Sequence, residues 1–378
     1  MGGQRGGSVR YIRARLLLGV AVVGAGAVGP GASGPQSGTV GLVITGWHHA
    51  LQETPGVKAE CPAGLNADDT SNGKAQANFQ ELRNKYGHNF SRGPNGEMAS
   101  YVPMAVEDPI PFSEVQTKVG YGLNLDGTTD GRATPRTCKH EKFASPDGEQ
   151  VDNQIARVVG CTKGWRKDGF ADAFFNEEIF TNPNNRILIE ISGVDSERND
   201  PDVSVVIYKG LDRLARDPSG KTIPLLTQRV DTRMPEFISK TRGKIVDGVL
   251  ITQAIPVARL PLRWIATAGE RKIHDLQLRI NLDGPRPSGM LAGYEDLKVW
   301  WNMQKAHSIS SAAAGNSPAS EYRAAHRYAD GLPDPATGQC TAISAAYRIS
   351  TVRTFIVHPT LGQPPQQRVA VATMAQPR

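Results

Sequence analysis

No C-x-x-C pair occurs in the 378 residues, so the motif shared by zinc ribbons, redox dithiols and c-type haem attachment is missing. No G-x-S-x-G elbow, H-E-x-x-H helix or P-loop occurs either, which removes the usual signatures of serine hydrolases, zinc proteases and nucleotide hydrolases. No basic stripe interleaved with aromatics is present. The formal charge of +6 does not repair that lack. Residues 1–32 carry Arg5, Arg10, Arg13 and Arg15 with no acid, and the remainder holds 39 basic against 37 acidic residues. Nucleic acid is therefore not an expected partner. Beyond the first thirty residues, no segment is long and apolar enough to span a bilayer.

The first segment reads as a secretory signal over residues 1–32. Its arginines form the n-region, Leu16 to Gly29 is the apolar run, and Ala25, Ala27 or Ala32 meets the small-residue rule for cleavage. The run is shorter than the roughly 20 residues of a membrane span. No twin arginine and no following cysteine occurs, which argues against Tat export and a lipid anchor. Gly24, Gly26 and Gly29 fit G-x-G-x-x-G, but Pro30 follows and no helix opens there to hold a pyrophosphate. The expected location is exported, periplasmic or extracellular, with no membrane span once the signal is removed.

Export makes the four cysteines legible as two disulfides. Three connectivities are open. Cys138 with Cys161, the pair closest in sequence, and Cys61 with Cys340 is the expected one. Gly 40 and Pro 26 together exceed the average share of about 12% and favour a turn-rich, β-dominated chain.

Periodicity places helices over residues 74–86, 170–180, 294–304 and 320–329. Strands are expected over 40–45, 186–192, 203–208, 259–268, 274–282 and, as one or two, 343–357. Residues 244–252 carry the strongest hairpin signal, Asp247-Gly248 between β-branched runs. The expected class is mainly β with peripheral helices (α+β), with a jelly-roll-like β-sandwich in the second half. The division is a helix- and loop-rich part at 41–180, a β-sandwich with a helical insertion at 181–358, and a disordered tail at 359–378.

The stretch from Tyr121 to Cys161 gathers the candidate chemistry. Asp126-Gly-Thr-Thr-Asp130-Gly131 matches half a calcium loop, but Thr137 stands where the bidentate Glu belongs, so the EF-hand fails. A looser calcium site would combine Asp126 and Asp130 with Asp147 and Asp152; Asp-Gly is also ordinary turn chemistry. Asp152-Asn153-Gln154 reads as a helix cap or a buried polar network. His140, beside Cys138, is the histidine to watch. Asp195, Asp200 and Asp202 form a second acidic loop. His48 and His49 are adjacent and would face opposite sides of a strand. Trp300 and Trp301 suit either a helix core or stacking on sugar rings.

The segments NLDGTTDG, CKHEKFASPDGEQVDNQ, VVGC and ILIEISGVD through NDPDVSVVIYKG together resemble a group of exported bacterial proteins with no established activity, over most of the mature chain. The resemblance implies a secreted, β-rich protein and carries over no catalytic residue. The expected function is a non-enzymatic envelope or extracellular binding module, calcium-stabilised if the acidic turns bind metal, with a glycan or envelope component as partner. The rivals are a secreted hydrolase acting on polysaccharide and a structural envelope component. A cleft with two facing carboxylates would favour the hydrolase; a closed acidic cluster without a cleft would favour the binding module.

Overall fold

The Asp247-Gly248 turn joins two antiparallel strands, Ser239–Val246 and Val249–Thr252, as the hairpin signal requires. A computed structural model describes residues 38–53, 60–66, 95–97, 101–105, 112–264, 267–306 and 318–359. The expected signal, the 74–86 helix and the tail beyond residue 359 lie outside the described residues.

In chain order the strands are β1 Gly38–His49, β2 Phe143–Ala144, β3 Gln150–Val151, β4 Ile187–Val194, β5 Asp200–Lys209, β6 Thr227–Arg229 and β7 Ser239–Val246. They continue as β8 Val249–Thr252, β9 Ile255–Trp264, β10 Thr267–Asn281, β11 Ser288–Asp296, β12 Gly331–Pro333 and β13 Cys340–Val357. The helices are α1 Ile155–Val159, α2 Phe170–Thr181, α3 Leu297–Ala306 and α4 Pro318–Arg327.

The mainly β, α+β class holds. Among the described residues, hydrogen bonding runs β1-β4-β5-β7-β8-β10-β11-β13, and β13 pairs back onto β1. Every pair in that ring is antiparallel. Among the described residues the layers of the expected jelly-roll sandwich are therefore not two sheets but one sheet closed on itself, an up-and-down barrel, with β9 paired on one side only, to β10. The closing stave is β1, which inserts between β4 and β13 and so ties the 41–180 part into the same sheet as the second half.

Alternation along each strand sorts the core. Leu42, Ile44, Ile189, Val205, Leu278, Leu291 and Ile349 point to one side and belong to a single large cluster. Their neighbours Val43, Leu188 and Val352 face the other side, where Val230 covers them. Ala50, Ala292 and Ala346 make a second small outer patch under Tyr121, Leu123 and Leu125. The alternating Leu276, Leu278, Ile280 and Leu282 are buried as expected. Residues 294–296, expected to open a helix, instead finish β11, because Tyr294 and Glu295 pair with Ser344 and Ile343. Helix α2 forms where expected and stops at Asn182, whose side chain accepts from the Asn184 amide. It buries Phe175 but leaves Phe170 exposed.

Two disulfides form, Cys61–Cys161 and Cys138–Cys340, spanning 100 and 202 residues. The pairing expected from sequence proximity is thus corrected. Cys161 follows α1 into the core beside Cys61, while Cys138 lies against the strand that Cys340 begins, its amide donating to Asp330 O at 2.9 Å.

Candidate functional site

The outer wall of β11 and β13 presents small side chains, so another segment can lie flat on it. Residues 117–153 do so. Leu123 bridges to Asp152, Val119 bridges to Ala144, and β2 and β3 close a small hairpin around the Ser145–Gly148 turn. Asn153 fixes this segment to the barrel. Its amide donates to Ala50 O at 3.1 Å and Tyr121 O at 2.8 Å, and its carbonyl accepts from the Ala346 amide at 3.1 Å. Gln154 receives no capping role; it donates to Glu141 O. Of the two readings of Asp152-Asn153-Gln154, the buried polar network is the one that forms.

Between this segment and the wall lies a sealed group of charges. The side chains of Asp126 and Lys142 are each 1% exposed, and His140 is 4% exposed. Asp152 and Asp330 are fully buried. Lys142 Nζ donates to Asp126 Oδ1 at 2.6 Å, Asn124 Oδ1 at 2.8 Å and Asp152 Oδ2 at 3.0 Å. His140 Nε2 stands 2.8 Å from Asp152 Oδ1, and its Nδ1–H donates to Cys138 O at 2.9 Å. Two glycines permit the approach. A Cβ on Gly131, at φ +65°, would fall 2.0 Å from His140 O, and one on Gly331 would fall 2.4 Å from the Tyr294 ring. Gly331 thereby lets Asp330 reach the cluster.

Burial works against the charge of His140, but the hydrogen bond to Asp152 and the nearby Asp330 outweigh it and hold the pKa up at about 9. Burial pushes Asp330 up to about 7, against the pull of His140 and the Ser344 amide. Burial also opposes ionisation of Asp126, yet Lys142 and Thr128 carry its pKa below the ordinary value. Tyr294, buried beside Asp152 and Asp330, is raised, burial being the main cause.

Of the four carboxylates expected to bind calcium, Asp126 and Asp152 meet here. Together with His140 they form a group whose ligand atoms lie within 4.8 Å of one another, and Asp130 and Asp147 are not part of it. Both are exposed: Asp130 accepts from the Arg132 amide, and Asp147 sits in the Ser145–Gly148 turn. The oxygen-only set that calcium prefers is not what assembles, because an imidazole and an ammonium share the site. Lys142, Asp330 and Tyr294 were not expected. His140 and Lys142 are two apart on extended chain, a spacing that puts both on one face; Asp330 has no local signal. In the second acidic loop, Asp200 accepts from the Asp195 and Asp202 amides and so serves the turn. Trp300 and Trp301 are buried, with Trp301 edge-on to Tyr322 at 4.9 Å, and offer no sugar platform.

A second polar group closes the barrel at the end where β1 and β11 finish. His48 turns outward to Asp172 on α2 at 2.9 Å, while His49 turns toward Tyr347 and Trp165, both ring pairs at 5.1 Å. Tyr347 Oη donates to Glu295 Oε1 at 2.7 Å, and Arg271 bonds both groups. The guanidinium carbon lies 5.0 Å from the Tyr347 ring, 5.4 Å from Trp47 and 5.6 Å from Phe175. Burial first, then Arg271, pushes His49 down to about 3, so it is neutral. Trp47 Nε1, His49 Nδ1, Arg271 Nε and Glu295 Oε2 are buried without a hydrogen-bond partner. No protein-family model, curated protein or solved structure matches the chain.

Proposed function

We propose that the chain acts outside the cytoplasm as a non-enzymatic binding module, and that the barrel end around Arg271 takes a small hydroxylated ligand, a sugar unit of an envelope or extracellular glycan. One observation carries this reading. The aromatic box of Trp47, Phe175 and Tyr347 holds two unspent donors, Trp47 Nε1–H and Arg271 Nε–H, beside an unspent acceptor, Glu295 Oε2. Hydroxyl groups both donate and accept, so one ligand of this class matches all three; because these groups are closed to solvent, binding requires the barrel end to open. An eight-stranded barrel has room for a single small ligand at most. Two disulfides favour an oxidising compartment, and the motif resemblance to exported proteins points the same way.

Among the described residues, no cleft with two facing carboxylates supports the hydrolase reading. The carboxylates of Asp126, Asp152 and Asp330 are sealed, and the shallow cleft between Leu51, Val119, Phe143 and Gly160 has no carboxylate in its lining. The test is a thermal-shift and glycan-array screen of the mature protein, with Trp47→Phe and Arg271→Met as controls. The expected result is a glycan that raises Tm for the wild type and for neither variant. Release of reducing ends from a polysaccharide, or glycan binding that survives both substitutions, would overturn the reading.

A further inference from the structure

We propose that Asp126, His140, Asp152 and Asp330 form a buried site for a divalent first-row transition-metal ion of the zinc or manganese type. The site is independent of the barrel-end ligand.

The donor spacing comes first. His140 Nε2 lies 2.8 Å from Asp152 Oδ1, 3.9 Å from Asp126 Oδ2 and 3.9 Å from Asp330 Oδ2. Donors bound tetrahedrally at about 2.0–2.1 Å stand roughly 3.3 Å apart. The separations from His140 bracket that edge, and Asp126, His140 and Asp152 already lie within 4.8 Å of one another. Asp330 lies outside that group and joins it as fourth ligand by turning its Oδ2 inward past His140.

The supporting contacts load one oxygen of each carboxylate more heavily than the other. Asp126 Oδ1 takes the Thr128 amide and Lys142, and its Oδ2 takes only the Thr128 hydroxyl. Asp152 Oδ2 takes the Leu125 amide and Lys142, which also reaches Oδ1 at 2.9 Å. Asp330 Oδ1 takes the Ser344 amide at 2.6 Å. The remaining oxygen of each carboxylate faces His140, whose other ring nitrogen is anchored on a backbone carbonyl. That is how ligating histidines and carboxylates are oriented by outer contacts.

Asp330 supplies the independent observation. It is fully buried, and its Oδ2 has no hydrogen-bond partner although it faces His140 across 3.9 Å. The Tyr294 hydroxyl, in the same field of carboxylates, is likewise unpartnered. A sealed carboxylate oxygen with nothing to bond is costly, and a cation answers it. Once His140 gives up its Nε2 proton to bind the ion, three carboxylates and one ammonium leave two negative charges, which a divalent ion cancels. Mixed imidazole and carboxylate donors suit zinc, manganese and their neighbours better than calcium. The Cys138–Cys340 bond staples the strand end near Asp330 to the segment bearing His140, so the four ligands are held before any ion arrives.

The test uses the mature, disulfide-bonded protein. Metal content is measured after purification without chelator; the protein is then stripped with dipicolinate and titrated with Co2+. The expected result is one equivalent of visible d–d absorption, displaced by Zn2+, and a rise in Tm with Zn2+ or Mn2+ that Ca2+ does not reproduce. Asp330→Asn keeps an acceptor for the Ser344 amide and retains its circular dichroism, yet weakens Co2+ binding about a hundredfold or more, as does His140→Gln. Stripped wild type that gives neither absorption nor a Tm shift overturns the proposal. So does a cobalt spectrum unchanged in His140→Gln, or equal stabilisation by Ca2+.

Discussion

Replacing Lys142 with Met tests the charge network at its centre. The ammonium is sealed and bonded to Asn124, Asp126 and Asp152. Met preserves most of the stem but leaves two carboxylates facing each other without their cation. Breaking a buried pair from one side costs about 3–5 kcal/mol. The pH dependence follows from Asp126, where burial opposes ionisation but Lys142 and Thr128 hold the pKa below its ordinary value. A depressed carboxylate contributes stability that is present above its unfolded value, near 3.9, and is lost as pH falls through the folded one. The gap between wild type and Lys142→Met is therefore full at pH 7 and closes on acidification below about pH 4. Urea unfolding of chelator-treated protein at both pH values, with m compared, measures it. Adding Asp126→Asn to Lys142→Met should recover part of the loss. A gap under about 1 kcal/mol at pH 7 with unchanged m would refute the claim that these charges depend on one another.

Two further outcomes are expected. Arg186 is fully buried and donates to Ile179 O, Phe180 O and Asp212 O, serving the last carbonyls of α2 with a planar fork. Burial lowers its pKa to about 10, so it stays charged. Arg186→Lys cannot reach all three acceptors, and urea denaturation should show a loss of about 2–3 kcal/mol. Replacing Cys138 and Cys340 together with Ser should cost up to about 4–5 kcal/mol, read as a lower Tm, since the bond closes one of the longest loops in the chain.

Local patterns carried the staves and their class. The Asp247-Gly248 turn and the alternating leucines of β10 are statements about neighbours in sequence, and they hold in space. Closure of the barrel is not local. β1 meets β13 from the other end of the chain, and nothing in either strand names its partner. The cysteines make the same point, since proximity in sequence favoured Cys138 with Cys161 while the fold sends them to different layers. Half the charge cluster was legible, because Asp126, His140 and Asp152 share one stretch. Asp330 was not. It reaches the site only because Gly331 lets the backbone pass tightly over the Tyr294 ring.

The seam between the first and last staves has a consequence for biosynthesis. Gly41 pairs with Thr354 and His49 with Tyr347, so the first of the described strands waits for the last of them. Until that final ribbon emerges, β1 and β11 each expose an unzipped margin, and the intermediate is a curled sheet open to the wrong neighbour. A chain delivered across a membrane from its amino end would stay pliant for the whole transit and snap shut only on release. A permutant that begins at β4 and joins β13 directly to β1 only moves this seam to β1 and β4, and its closure still waits for the last strand.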